Sequence, residues 1–386
     1  MDKVRLGIIG IGNMGRGHCA YLMKNEVHGV ELTAICDTDP EKLKWVPENL
    51  GVNVRTFGSP DEFFKSGTVD AVLICTPHYS HPELAIQGFE HGLHVLIEKP
   101  AGVYTKQVRE MNEASLKTDK LFGIMYNQRT NPLYLKLRDL VTSGELGNIR
   151  RTNWIITNWY RSQSYYDSGG WRATWEGEGG GVLLNQDPHQ LDLWQWTIDM
   201  MPKRVRAFCS FGKYRSIEVE DDVTAYVEYE NGATGLFVTT TGEAPGTNRF
   251  ELTGDNGKIV IEDEKLTFWR LRQPEQEFNA AYKGGFGSPE CWKCEIPITG
   301  GNPQHKGITQ NFVDAIRKGT PLLAPGAEGI KGLTLSNAMH LSAWTDDWVN
   351  LPIDEDQYYS MLQERIRNST MKKEGGSRTL NVGGTH

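Results

Sequence analysis

Basic residues are the minority in this 386-residue chain: 41 lysines and arginines face 49 aspartates and glutamates, a formal net charge of −8. That balance argues against a nucleic-acid or anionic-membrane partner, since both need clustered positive charge. Small anions stay open, because a few local donors can hold them. Cysteine is sparse as well. The six, at positions 19, 36, 75, 209, 291 and 294, are too scattered for a disulfide framework. Cys291-x-x-Cys294 lacks the second pair of a zinc ribbon and the βαβ setting of a redox motif, so two reduced thiols are expected. The chain also lacks an apolar run of membrane-spanning length, an internal repeat, a G-x-S-x-G elbow and any cluster with metal-ligand spacing. Their absence argues against a membrane span, classical serine hydrolysis and a metal centre. Met1 leads through Asp2-Lys3-Val4-Arg5 into a strand-like run that fits no signal peptide. The expected compartment is the cytoplasm.

What is present reads as two globular domains. From Val4 to Met125, short apolar runs (VRLGIIG, VELTAICD, NVRTFG, DAVLICTP, HVLIEKP, LFGIMYN) alternate with helical segments. Nearly unbroken apolar strands are buried on both faces, so this half is an α/β Rossmann-type parallel sheet, residues 1–126. After Tyr126 the rhythm becomes period two, as in DDVTAYVEYENG and ATGLFVTTTG, with turn signals between the runs. Residues 127–371 are therefore expected to form an α+β domain with a large open, mainly antiparallel sheet. Residues 372–386, polar and glycine-rich, read as a flexible tail.

Gly10-Ile11-Gly12-Asn13-Met14-Gly15 follows the first strand and opens a helix. Glycines there allow a tight turn and close backbone approach to a pyrophosphate at a helix N-terminus. Asp37 ends the second strand, 22 residues beyond Gly15. An acid at that place accepts from adenosine ribose hydroxyls and repels a 2′-phosphate, so NAD is favoured over NADP. Cys75-Thr76-Pro77-His78-Tyr79-Ser80-His81 and Glu98-Lys99-Pro100 lie at the C-terminal ends of later strands. Thr76, Pro77, His78, His81, Glu98 and Lys99 are thus candidates for the nicotinamide end. Asn127 and Arg129, at the domain junction, either reach the nicotinamide amide or the substrate, or hold the domains together.

These segments, with GGGVLLNQDPHQLDLW further on, resemble the Gfo/Idh/MocA oxidoreductases over nearly the whole chain. The resemblance implies that Lys99 lies beside the nicotinamide and the substrate hydroxyl, and that His189 serves as acid/base. Many members carry an aspartate four residues before that histidine. This chain has Asn185 there, which points to a change of substrate class.

Pro188 fits only the first turn of a helix, so the helix begins near Asn185 to Asp187. His189 then sits in the first turn and Asp192 one turn later. Histidine suits removal of a hydroxyl proton near neutral pH. Lys99 would steady the developing alkoxide and could share the proton; which of the two is the base stays open.

Between Trp154 and Trp175 lie four of the eleven tryptophans and three tyrosines. Tyr165, Tyr166, Trp171 and Trp175, with Arg172, suit the faces and hydroxyls of a pyranose. An aromatic subunit interface is the competing reading. A sugar, glycoside or cyclic polyol is the expected substrate, oxidised in glycosides at C3 by analogy, and a homodimer or homotetramer is the expected assembly. Two alternatives use the same residues: an NAD-using glycosidase working by oxidation, elimination and reduction, and a non-catalytic dinucleotide- or sugar-binding regulator.

Overall fold

The computed structural model describes residues 3–51 and 53–371. The expected tail, 372–386, lies outside the described residues. Six parallel strands, β1 Val4–Ile9, β2 Val30–Cys36, β3 Arg55–Phe57, β4 Ala71–Ile74, β5 His94–Ile97 and β6 Phe122–Ile124, form one sheet in the order β3-β2-β1-β4-β5-β6. The order reverses at β1, and the crevice beside that switch point is where such sheets bind nucleotides. Ile8, Ala71, Val72, Leu73, Val95 and Ile97 are fully buried, as both-face covering requires.

The second sheet has nine strands: β7 Ile149–Ile156, β8 Arg204–Phe211, β9 Glu220–Glu228, β10 Thr234–Thr240, β11 Asn248–Gly254, β12 Gly257–Glu262, β13 Lys265–Leu271, β14 Cys291–Ile296 and β15 Val349–Asn350. Their order is β14-β13-β12-β11-β7-β10-β9-β8-β15, antiparallel except for the parallel β7–β10 pair. One face is buried, and Trp154 stacks on Phe250 there at 4.3 Å between ring centroids. Along β8 and β9 the alternate residues of the other face are half-buried or exposed. β14 is an edge strand, and the odd spacing of Cys291 and Cys294 sends their side chains to opposite faces. Both thiols are free.

Late in the chain, Ala324 and Pro325 return to the edge of the first sheet, the Ala324 carbonyl accepting from the Ile124 N–H. Pro325 bridges to Gly123, and Asn337 accepts from the Thr105 N–H at 3.1 Å. Helix Gly329–Thr345 therefore packs on β8 of the second sheet and on helix Thr105–Ser115 beside the first, whereas helix Gln304–Lys318 packs against β1 and residues 127–130. Among the described residues no helix is long and apolar enough to cross a membrane.

Candidate active site

The glycine turn has the geometry of a dinucleotide cradle. Gly10 has φ +92°, and a Cβ there would come 2.8 Å from the Cys75 backbone; a Cβ on Gly15 would meet the Gly10 carbonyl oxygen at 2.1 Å. Gly12 faces the opposite way, and its Cβ would meet nothing within 4 Å. Side chains are thus excluded where the turn is tight, and the backbone is left open where a phosphate approaches. Asn13 and the half-exposed Met14 begin helix Asn13–Met23 at this mouth. Asp37 accepts from the Ile11 N–H at 2.8 Å and from the Asp39 N–H at 2.9 Å, which fixes the turn against the end of β2. Asn127, at the end of β6, is buried with its Oδ1 unpartnered by protein. A buried amide oxygen is costly to leave alone and fits a ligand N–H such as the nicotinamide amide. The residues present fit NAD.

Two of the strand-end candidates take other roles. His81 spends both ring nitrogens on carbonyls, Pro100 and Thr76, each at 2.8 Å. It is a strut between the two loops and has no nitrogen left for a cofactor. Glu98 is buried, with His18 Nε2 at 2.6 Å from one oxygen and the Lys99 N–H donating to the other. Burial opposes its charge most strongly of any single effect, yet the hydrogen bond and attraction of His18, with His305 and Lys99, together outweigh it and hold the carboxyl down at about 2. His18 continues through Tyr21 to Thr309, tying the site to helix Gln304–Lys318. Ser80 donates to the Thr76 hydroxyl and to the Pro77 carbonyl, shaping the first loop. His78 faces the second sheet, its Nδ1 3.0 Å from the Glu178 carbonyl and its ring edge-on to Trp171.

Lys99 reaches from the end of β5 to the turn that precedes helix Pro188–Ile198. Its ammonium donates to the Asn185 carbonyl at 2.7 Å. Burial lowers it to about 8, with Arg172 and Arg161 pushing the same way and Glu98 opposing. Asn185 belongs to a π-helical turn, Val182–Gln186, that runs into helix Pro188–Ile198. Wide turns of this kind are frequent at functional sites. His189 occupies the first turn after Pro188, half-buried, with its ring edge-on to Tyr126. The body of that helix is locked by Trp194, which is buried and donates to Thr152 of β7.

Around this turn the aromatic segment divides. Tyr165 lies in the cleft: its hydroxyl receives Arg172 Nη1 (2.6 Å), Asn185 Nδ2 (3.2 Å) and Gln186 Nε2 (3.1 Å). Arg172 packs over both Tyr165 and Trp171, 4.4 Å from each ring centroid. Tyr166 and Trp175 do not line the cleft. Tyr166 is fully buried with its hydroxyl on Thr241, and Trp175 packs into a ring cluster with Phe211, His340 and Trp344. Flanking backbone turns their side chains into the core, which composition alone does not reveal.

Arg129 is likewise corrected. It is buried, with Nε and Nη2 on Asp192 and Nη1 on Glu328, so no donor faces a substrate. It ties the end of β6 to helix Pro188–Ile198, the structural alternative. Glu178 was not expected at all. Fully buried, it accepts from the Ala173 N–H and from the Asn185 side-chain amide, so it aims the residue that holds Lys99. Among surrounding glycines it reads as a solvated loop charge, and no sequence signal marks it. Among the described residues no group of three or more acidic, histidine or cysteine side chains could hold a metal ion.

A phosphate-cradling Rossmann turn that ends at a buried lysine and a helix-start histidine defines an NAD-dependent oxidoreductase acting on CH–OH groups. Comparison with known proteins gives the family. Residues 4–126 match the oxidoreductase family model with NAD-binding Rossmann fold, and residues 134–260 match the GFO/IDH/MocA C-terminal domain. The chain belongs to the GFO/IDH/MocA oxidoreductases. It is 25% identical over 339 residues to the myo-inositol 2-dehydrogenase of Thermotoga maritima, covering 87% of this chain and 95% of that protein. With the D-glucoside 3-dehydrogenase of Escherichia coli it shares 28% over 248 residues, 60% and 68% of the two chains. The WlbA dehydrogenase from Bordetella pertussis, solved with NADH and UDP-GlcNAcA, superposes with a TM-score of 0.77 at 25% identity, covering 91% of this chain and all of that one. The expected family, NAD and the pairing of a parallel with a mainly antiparallel sheet are all found.

Proposed function

We propose that this protein oxidises a secondary hydroxyl of a sugar, glycoside or cyclic polyol, in glycosides at C3, with Lys99 and His189 moving the proton. Bound NAD⁺ supplies the acceptor for the two electrons. The observation that carries the reading is Lys99, a buried ammonium held near 8 and anchored on the Asn185 carbonyl at the seam between cradle and aromatic cleft. A lysine poised there gives up or takes a proton with little driving force in either direction. It holds the substrate oxygen and stabilises negative charge as the hydroxyl proton leaves. His189, at the mouth of the same helix, accepts or relays that proton. Tyr165, Trp171, Arg172 and Asn185 orient the ring, and the interior of the cell is where its cofactor is plentiful.

The test is incubation of the purified protein and NAD⁺ with free sugars, inositols and glycosides, following the carbohydrate by mass spectrometry. Loss of two hydrogens from a panel member is the expected result. Release of an aglycone without net oxidation would replace the dehydrogenase with the glycosidase, and NAD binding with no change in any sugar would leave a regulator.

A further inference from the structure

Gly179, Gly180 and Gly181 precede the turn that carries Asn185, and a carboxylate from another strand supplies the cap that they cannot. The first N–H groups of a helical turn have no partner within it. Gly181, at the head of Val182–Gln186, has no side chain to offer them. Glu220, at the start of β9, takes that place. Its Oε1 accepts from the Gly181 N–H at 2.9 Å and from the Leu183 N–H at 3.0 Å. A Cβ on Gly181 would meet the Glu220 carbonyl oxygen at 2.0 Å, and one on Gly180 would meet the His340 ring at 3.0 Å. Only glycines let the turn press this close.

Glu220 is wholly buried, and a carboxylate in that setting is costly unless it is paired. His340, equally buried, places Nε2 2.9 Å from the other oxygen. Its ring lies parallel to Trp344 and edge-on to Trp175, and its Nδ1 is 3.3 Å from the Tyr358 hydroxyl. The ring cluster that takes in Trp175 thus surrounds a carboxylate–histidine pair set against the back of the turn.

From this pair one path of hydrogen bonds runs to the reacting centre. The Gly181 carbonyl accepts from the Asn185 N–H at 2.9 Å, and the Asn185 carbonyl accepts from the Lys99 ammonium at 2.7 Å. The Val182 carbonyl accepts from the Asp187 N–H at 2.8 Å, two residues before His189. A shift of Gly181 and Leu183 would therefore reach both groups assigned to the proton.

We propose that Glu220, braced by His340, is a positioning residue for hydroxyl oxidation: it fixes the turn so that the Asn185 carbonyl holds Lys99 at the reacting oxygen. This rests on the dehydrogenase reading and adds to it a residue that acts only through the turn.

The test uses the full-length protein and compares Glu220→Gln, which keeps an acceptor for the turn, with Glu220→Met, which keeps the volume and no acceptor oxygen. On whichever panel sugar the wild type oxidises, Glu220→Met should lower kcat about 10²-fold with KM and NAD affinity little changed. Glu220→Gln should recover most of that loss. His340→Phe keeps the ring stack and leaves the carboxylate unpaired, so its kcat should fall between the two. A second readout needs no turnover: acetylation of Lys99 by acetic anhydride, followed by mass spectrometry against exposed lysines of the same chain. Freed from its carbonyl, Lys99 should react about tenfold faster in Glu220→Met than in the wild type, and at the wild-type rate in Glu220→Gln. A melting temperature that drops in Glu220→Met and His340→Phe while kcat and Lys99 labelling stay at wild-type values would make the pair structural and overturn the proposal. Should Glu220→Met fail to fold, His340→Phe carries the same two readouts. A wild type that oxidises no sugar removes the dehydrogenase, and the labelling contrast still decides whether Glu220 holds Lys99 in place.

Discussion

Lys99 is the residue on which the chemistry turns, and its environment sets a pH dependence. Held at about 8 by burial, it is mostly charged at neutral pH and mostly neutral above. If it takes the hydroxyl proton, kcat/KM for oxidation should rise with pH and level off above about 8, whereas a profile flat across that range would pass the role to His189. Lys99→Ala and His189→Ala should each lower kcat by about 10²–10⁴-fold, measured as oxidised product while calorimetry confirms NAD binding. The lowered value also has a stability sign. A lysine whose pKa falls on folding favours the folded state only at high pH, and at neutral pH its burial is a cost. Lys99→Met should therefore raise the unfolding free energy at pH 7 by about 1–2 kcal/mol, a gain that starts to fade as pH passes about 8 and is gone at the unfolded lysine value. At this scale the sequence was partly legible. Lys99, His189 and Asp37 sit in motifs whose strand and helix context fixes them. Arg129, Tyr166 and Trp175 do not, because which way a side chain turns is decided by the neighbouring chain that covers it.

Where the π turn hands over to helix Pro188–Ile198, an acid is buried. Asp187 precedes Pro188, is fully inaccessible and is raised to about 8 by burial, with Thr239 and Trp159 opposing weakly. An aspartate whose pKa rises on folding contributes its full stability at low pH, and the contribution is lost as pH climbs through about 8. Asp187→Asn keeps the shape and removes the titration. Melting temperatures followed from about pH 4 to about pH 8, between the unfolded and folded values of Asp187, should fall less steeply in the variant than in the wild type, and parallel curves would show that Asp187 is already charged. The start of this helix was legible from Pro188, since a proline is tolerated only in the first turn. The π turn before it was not, because its hydrogen bonds depend on Glu220 accepting from the Gly181 and Leu183 N–H groups, a partner far along the chain. The same contrast runs through the strands. Those of the first sheet announce themselves as apolar runs, whereas KLTFWRL and CWKCEI of β13 and β14 alternate at an exposed edge and carry little burial signal.

The two sheets act as one enzyme only if the seam between them is rigid, and Arg129 is its buried charge. It joins the end of β6 to helix Pro188–Ile198 through Asp192 and to the late chain through Glu328. Arg129→Met would leave Asp192 without its partner in a dry setting. It should cost about 3–5 kcal/mol in denaturant unfolding, most of which Arg129→Met with Asp192→Leu should recover. Beyond the single chain, the open face of the nine-stranded sheet carries Phe208, 61% exposed, with Tyr226 on the neighbouring strand and Trp348 edge-on to it. Arg206 lies over Phe208, and directly opposite Tyr226 in the strand pairing, so these groups share one face. Aromatic side chains concentrated on the uncovered face of a sheet suit a second copy pairing face to face. The wild type should then elute as a dimer or tetramer by light scattering, and Phe208→Asp with Tyr226→Asp should yield a folded monomer. Since the glycine turn of the dinucleotide cradle is built on the first sheet, the monomer should keep its NAD affinity. A wild type that is already monomeric would return these aromatics to the ordinary apolar share of a protein surface.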